Sequence, residues 1–396
     1  MKRSLFGLLA VLTAACRDVD APTASQRATH PSPPALSLTV GSIQTIDLGT
    51  LSSGGGSDAS DINDAGIVVG FASDPDHYLR PVRWTAPGVI HKLGGLGGIE
   101  GAAEAINNEG TIVGYSANSH GLTRAFVWSD GNMTELRSEW PVCPPGAPCL
   151  TSEANGISDN GAIAGMIFIS LSGQQPEHAV RWESSSAQST SAALYPTELP
   201  GTARDVNNAG IVVGHVHGTN TRPFFSFWGQ WEKLPLPPHA SGPTYGQAER
   251  INNQDVIVGW TEATWHEGDD PEEMPSHALR WTHPIPLNST YAVQDLGTLG
   301  GRNSRASDVN EDGTIVGWSD VYVNFLPVYR AFIWREGMGM KALPPLPGYA
   351  YSQAYGINKS NWVVGTSTKL SGERRATLWK VTLREEISGP VVVTGS

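Results

Sequence analysis

Charge is scarce in this sequence. Only 16% of its 396 residues are Asp, Glu, Lys or Arg, against about a quarter in an ordinary globular domain. That excludes a coiled coil, a helical bundle and a charge-rich disordered chain. Positive charge is scarcer still. Lys and Arg number 26 against 38 Asp and Glu, a net charge of −12. A basic footprint for a nucleic-acid backbone is missing, so no nucleic-acid partner is expected. After residue 16 no apolar run approaches the roughly 18 residues of a membrane span. Cysteine occurs three times, too few at ligand spacing for a cysteine-held metal. No Gly-x-Ser-x-Gly, His-Glu-x-x-His, Walker loop or dinucleotide fingerprint occurs, so the sequence names no reaction and no cofactor. What it does contain is 45 Gly, 28 Pro and 13 Trp, a composition suited to short strands joined by many turns.

The N-terminus carries an address. Lys2 and Arg3 precede an apolar run, Leu5 to Ala15, too short to cross a bilayer but suited to a secretory signal. It ends in Leu-Thr-Ala-Ala-Cys and resembles a bacterial lipoprotein cleavage box, with Thr13 where such boxes more often carry Leu. The resemblance implies that residues 1–15 are removed and that Cys16 is lipidated. The lipid would be the only membrane attachment, at the outer membrane or cell surface. Residues 16–41, rich in Pro, Ser, Thr and Ala, read as a disordered tether. Cys143 and Cys149 enclose Pro-Pro-Gly-Ala-Pro, and an exported chain would join them in a small loop disulfide.

An internal repeat decides the fold. Its core is Ala-x-x-Ile/Val-Asn-x-x-Gly-x-Ile/Val-Val-Gly, with small departures. The Ile or Val stands at 62, 106, 157, 206, 251, 309 and 357, at intervals of 44 to 58 residues. Ala stands three residues earlier in every copy, Gly eight residues later, and a Trp closes the next apolar stretch. Four residues after the Ile or Val come Gly66, Gly110, Gly161, Gly210, Asp255, Gly313 and Asn361. Only residues that tolerate positive φ occur there, so a tight hairpin turn is predicted between strands A and B. Strand C ends at the Trp, and a strand D follows a second turn. Four antiparallel strands per copy make the unit of a β-propeller blade. Residues 43–48 match a D strand, while the last copy stops after strand C. The chain is therefore predicted to be all-β: a single seven-bladed propeller, residues 42–380, closed by the N-terminal strand, with 381–396 as a tail. A monomer is expected.

The same copies resemble the bacterial extracellular repeat family named for its His-Ala-Phe tripeptide, the HAF repeats. Asp295–Gly301 matches that family's Asp-Leu-Gly-Thr-Leu-Gly-Gly element. The tripeptide itself appears as His178-Ala179-Val180, His277-Ala278-Leu279, Arg124-Ala125-Phe126 and Arg330-Ala331-Phe332. Blade four departs most, with Pro223-Phe224-Phe225. The resemblance covers residues 43–379 and implies a surface or secreted location, with no activity to carry to any residue.

Strand parity places the variable B–C and D–A loops on one face, where a site is expected. Aromatics that end strand B there, Phe71, Tyr115, Trp260 and Trp318, could stack on sugar rings or pack between blades. Blade five adds an acidic loop with Trp265, His266, Glu267, Asp269, Asp270, Glu272 and Glu273, a solvated loop unless it holds a cation or does acid–base work. Four residues before the strand C Trp stand Arg80, Arg124, His178, Phe224, His277, Arg330 and Arg375. Such a basic ring could attract an anion or pair structurally, with Asp61, Asp205 or Asp308 as partners. Asp308, Asn310 and Asp312 begin like a calcium loop but lack the Glu at its twelfth position. His215 and His217 could ligate a metal from one strand end. The leading expectation is a non-enzymatic surface module for a glycan or protein partner. The alternative is a polysaccharide lyase or hydrolase using His and carboxylates of the same face.

Overall fold

A computed structural model describes residues 35–136, 149–169, 177–183, 191–192, 201–217, 220–227, 230–238, 241–264, 275–283 and 291–388. Ser37–Glu386 form one compact unit. Its 28 strands group into seven antiparallel sheets of four, arranged in a ring, and no helix occurs among the described residues. The inner A strands are Ser57–Ile62, Gly97–Ile106, Cys149–Ile157, Gly201–Val206, Ser241–Ile251, Ser304–Val309 and Tyr351–Ile357, which number the blades one to seven. In blade seven the outermost strand is Ala35–Asp47, hydrogen-bonded to strand C, Arg374–Ser388. The predicted seven-bladed propeller and its closure by the N-terminal strand are what the structure has. The domain edges lie further out than 42 and 380. Residues 35–41 are strand rather than tether, and 381–388 continue strand C rather than forming a tail. Leu38, Val40, Ile43 and Leu383 explain this, because they pack on the apolar cluster around Trp379.

Each repeat residue has a physical reason. All seven turn positions adopt positive φ, between 56° at Asn361 and 87° at Gly161. Every A strand carries a bulge after its Ala, as between Ala59 and Asp61 or Ala306 and Asp308. The bulge pushes a strand A carbonyl onto strand B. A Cβ on Gly70 would strike the carbonyl of Asp58, and one on Gly317 that of Arg305, so only Gly fits. The seven Ala residues are fully buried. They pack in the apolar clusters between blades, as Ala59 does with Trp84 and Leu378. The axis is lined by the residues that flank them. Trp84, Trp128, Trp182, Trp281, Trp334 and Trp379 form the inter-blade core; Trp228 lies outside the described residues.

The turn Asn serves twice. Asn63 Oδ1 accepts the Ile67 N–H and shapes its own turn, while its Nδ2 donates 3.2 Å to the carbonyl of Asn107 in the next blade. The pattern runs on from Asn107 to Ser158, Asn207 to Asn252, Asn252 to Asn310 and Asn310 to Asn358. Asn358 then donates 3.1 Å to Asn63, 295 residues away, which joins the last blade to the first. Ser158 breaks the series, and Asn160 bridges to the carbonyl of Asn208 instead.

Candidate functional site

The axial channel opens into a cavity of about 460 Å³ at the loop face and one of about 150 Å³ at the turn face. Arg250 lines both and stands between them. At the turn face it looks onto Asp61, Asp205 and Asp308, the bulge residues of blades one, four and six. Each carboxylate reaches across to the next blade: Asp61 accepts the Ile106 N–H at 3.0 Å, Asp205 the Ile251 N–H at 3.0 Å and Asp308 the Ile357 N–H at 2.8 Å. One guanidinium cannot neutralise three carboxylates in a buried ring. Burial pushes Asp205 up to about 6, and burial with the Asp61 charge pushes Asp308 up to about 7. Burial alone would lower the Arg250 pKa, but the surrounding carboxylates raise it.

The loop-face cavity differs in kind. Asp58, Glu104, Arg204, Glu249, Arg305 and Arg374 line it together with Phe71, Trp260, Trp318 and Tyr355. Arg204 Nε donates to Glu249 Oε2 at 3.0 Å, and Trp260 Nε1 donates to Glu249 Oε1 at 2.9 Å. Burial would raise Glu249, but those two partners outweigh it and hold the carboxylate ionised. Arg374 pairs with Asp58 at 2.7 Å, though burial still lifts Asp58 to about 6. Burial raises Glu104 against the pull of Arg204 and Arg250, and raises Glu153 with Glu104 adding to the effect.

Phe71, Tyr115 and Trp318, of the expected aromatics, keep open surface on this face. The Trp318 ring meets Tyr329 edge-on at 5.1 Å, and Tyr329 lies 6.1 Å from Tyr351. A half-exposed aromatic row thus leads from the cavity across blades six and seven. Trp260 is a correction. It is buried, its N–H is taken by Glu249, and the Arg305 guanidinium covers its face 3.6 Å from the ring centroid. Arg305 in turn donates to Glu262 at 2.8 Å and lies 5.6 Å from the Trp318 ring. Tyr115 is half-buried beside Glu104, Glu153 and Glu100, and burial with those charges lifts its phenol to about 12. Trp265 and His266, with the rest of their acidic loop to Glu273, lie outside the described residues, as do Cys16 and Cys143; Cys149 opens the blade-three A strand.

Of the residues in the calcium reading, Asp308 and Asn310 are already engaged within the fold. Asp308 is spent on two backbone N–H groups, and Asn310 Oδ1 accepts the Asp312 and Thr314 N–H groups inside the hairpin. The basic ring is structural, but Asp61, Asp205 and Asp308 are not its partners, since they line the axis. Arg80 pairs with Asp74 at 2.7 Å, Arg124 with Glu135 at 3.2 Å and His277 Nδ1 with Asp295 at 2.8 Å. Arg330 donates to the Ala350 carbonyl, and Arg375 pairs with Glu373 at 3.1 Å. Phe224 is buried. Sequence reasoning missed Glu104, Arg204, Glu249, Arg250 and Arg305 as site residues. Their signal was present, because they occupy the repeat positions beside the Ala where the copies disagree.

No protein-family model matches the chain, and no curated protein matches it. Solved structures do. The β-propeller domain of the Trilobed protease from Pyrococcus furiosus is 12% identical, with a TM-score of 0.46 over 86% of this chain and 99% of that one. A variant of the AofleA protein from Arthrobotrys oligospora is 15% identical, with a TM-score of 0.37 over 76% and 90%. The Aleuria aurantia lectin, in complex with Fucalpha1-6GlcNAc, is 10% identical, with a TM-score of 0.34 over 87% and 100%. The propeller assignment rests on the seven blades themselves.

Proposed function

We propose that the protein is an exported, lipid-anchored binding module of the HAF-repeat type, which holds a glycan at the loop-face mouth of its channel. The observation that carries this reading is the pairing of a 460 Å³ polar cavity with the row Trp318, Tyr329 and Tyr351. Sugar rings stack on aromatic faces through their C–H bonds, and their hydroxyls need donors and acceptors at the stack's edge. Arg305, Arg204 and Glu249 supply both beside Trp318. The ion pairs are mutually satisfied before a ligand arrives, so the site is pre-organised. The leader and the Leu-Thr-Ala-Ala-Cys box support export, and Cys16 is the residue to carry the lipid.

A second reading has one observation in its favour. Glu104 and Glu153 are neighbouring carboxyls whose pKa values burial raises. A raised carboxyl can act as a general acid on a glycosidic oxygen. A glycan array followed by titration calorimetry of the purified chain tests both. A hit that Trp318→Ala weakens at least tenfold supports the binding reading. Cleavage of that glycan, lost in Glu104→Gln, would replace it with the enzymatic one. Silence on a broad array would overturn the glycan and leave a protein partner.

A further inference from the structure

We propose that Glu177, His215 and His217 form a binding site for a divalent transition-metal ion of the zinc class, at the seam between blades three and four. Glu177 opens strand C of blade three, Glu177–Glu183. His215 lies in strand B of blade four, Val212–Val216, and His217 follows it. Residues two apart on an extended chain project to the same side, so both imidazoles face the neighbouring blade. One donor atom from each of the three residues lies within 4.8 Å of the others. Tetrahedral zinc with bonds of about 2.1 Å sets its ligand atoms about 3.4 Å apart. Side-chain rotation would have to close that difference.

Two further observations point to a ligand. His215 is only 6% exposed, and its buried Nδ1 has no hydrogen-bond partner. A buried polar atom left unpaired is costly and calls for an explanation. Glu177 is also already oriented. Thr202 Oγ1 donates to Glu177 Oε2 at 2.8 Å, the kind of outer-shell bond that aims a metal-ligating carboxylate. His217 Nε2 lies 2.8 Å from the same oxygen, and a metal would stand between the two in place of that contact. Arg204, whose charge acts on His215, is paired with Glu249.

The donor set chooses the ion. Two imidazole nitrogens and one carboxylate suit zinc, nickel, cobalt or copper, whereas calcium and magnesium want six or more oxygens. Three protein ligands leave a fourth position open to water or to an incoming hydroxyl. The site is independent of the aromatic row and stands or falls without it.

The test uses the full chain, stripped with chelator, reloaded with zinc and desalted. One zinc retained per chain is expected, with a raised melting temperature, and cobalt should give the intense visible absorption of a four-coordinate site. His217→Gln and Glu177→Gln alter half-exposed side chains and should keep the metal-free melting temperature. Each should lower zinc affinity at least tenfold and abolish the cobalt bands. Zinc bound equally well by these variants, or none retained by the native chain, would overturn the site, as would calcium displacing zinc at equal concentration.

Discussion

The two mouths of one channel follow opposite rules. At the turn face the hairpins repeat almost without change. Asn after Asn donates to the next blade, three bulge aspartates bridge to the next strand, and a positive-φ residue closes every hairpin. At the loop face the corresponding positions differ from blade to blade: Ser60, Glu104, Asn155, Arg204, Glu249, Ser307 and Tyr355 follow the seven Ala residues. Repetition belongs to the joint that holds seven wedges in a circle, where every seam has the same geometry to satisfy. Variation belongs to the surface that can meet a ligand, because a ligand does not share the ring's symmetry.

The comparison breaks most severely at the strand B glycines. Gly317→Ala places a methyl against the Arg305 carbonyl on the neighbouring strand. A loss of about 3 kcal/mol is expected in denaturant unfolding, and the displaced Arg305 would disturb the loop face as well. An unchanged midpoint would mean that the bulge is not the reason for glycine. Next in size is Asn252→Ala at the turn face. It removes one inter-blade bond to the Asn310 carbonyl and leaves the Gln254 and Val256 N–H groups of the hairpin without their acceptor. About 2 kcal/mol should be lost, while any ligand affinity at the loop face stays within twofold. A drop in affinity matching the drop in stability would show that the two mouths are coupled.

A third effect sharpens the electrostatic difference. Asp205 and Asp308 titrate near 6 and 7 in the folded chain, above the value of about 3.9 for an unfolded Asp. The folded state therefore binds more protons between those limits. The stability due to these groups is full below about pH 4 and is lost as pH rises through 6 and 7. Thermal unfolding should show a melting temperature a few degrees lower at pH 7.5 than at pH 5, and Asp308→Asn should flatten that slope. A slope unaltered in the variant would remove the carboxylate ring as its cause.

Much of this was legible in one dimension. Periodic Ala, Asn, Gly and Trp announce a blade because each answers a local demand: a turn conformation, a close strand, an inter-blade core. The Asp-Leu-Gly element reads likewise once its partners are visible. Asp295 Oδ1 accepts the Gly297 N–H while Oδ2 holds His277, so two parts of the repeat are one clamp. The site was legible only in part. Trp318 lines the loop-face cavity, whereas Trp260 is covered by Arg305, a residue 45 positions away in the chain and on the next blade. Likewise, His215 and His217 gained Glu177 from another blade, a partner no spacing could suggest.

The sequence by itself determined the unit, the number of copies and the phase that closes the ring, since these depend on neighbours a few residues apart. Only the tertiary structure decided which side chains meet on the axis and across the seams. Those contacts join residues about 40 to 300 positions apart, and ring closure, not local preference, sets the distance between them.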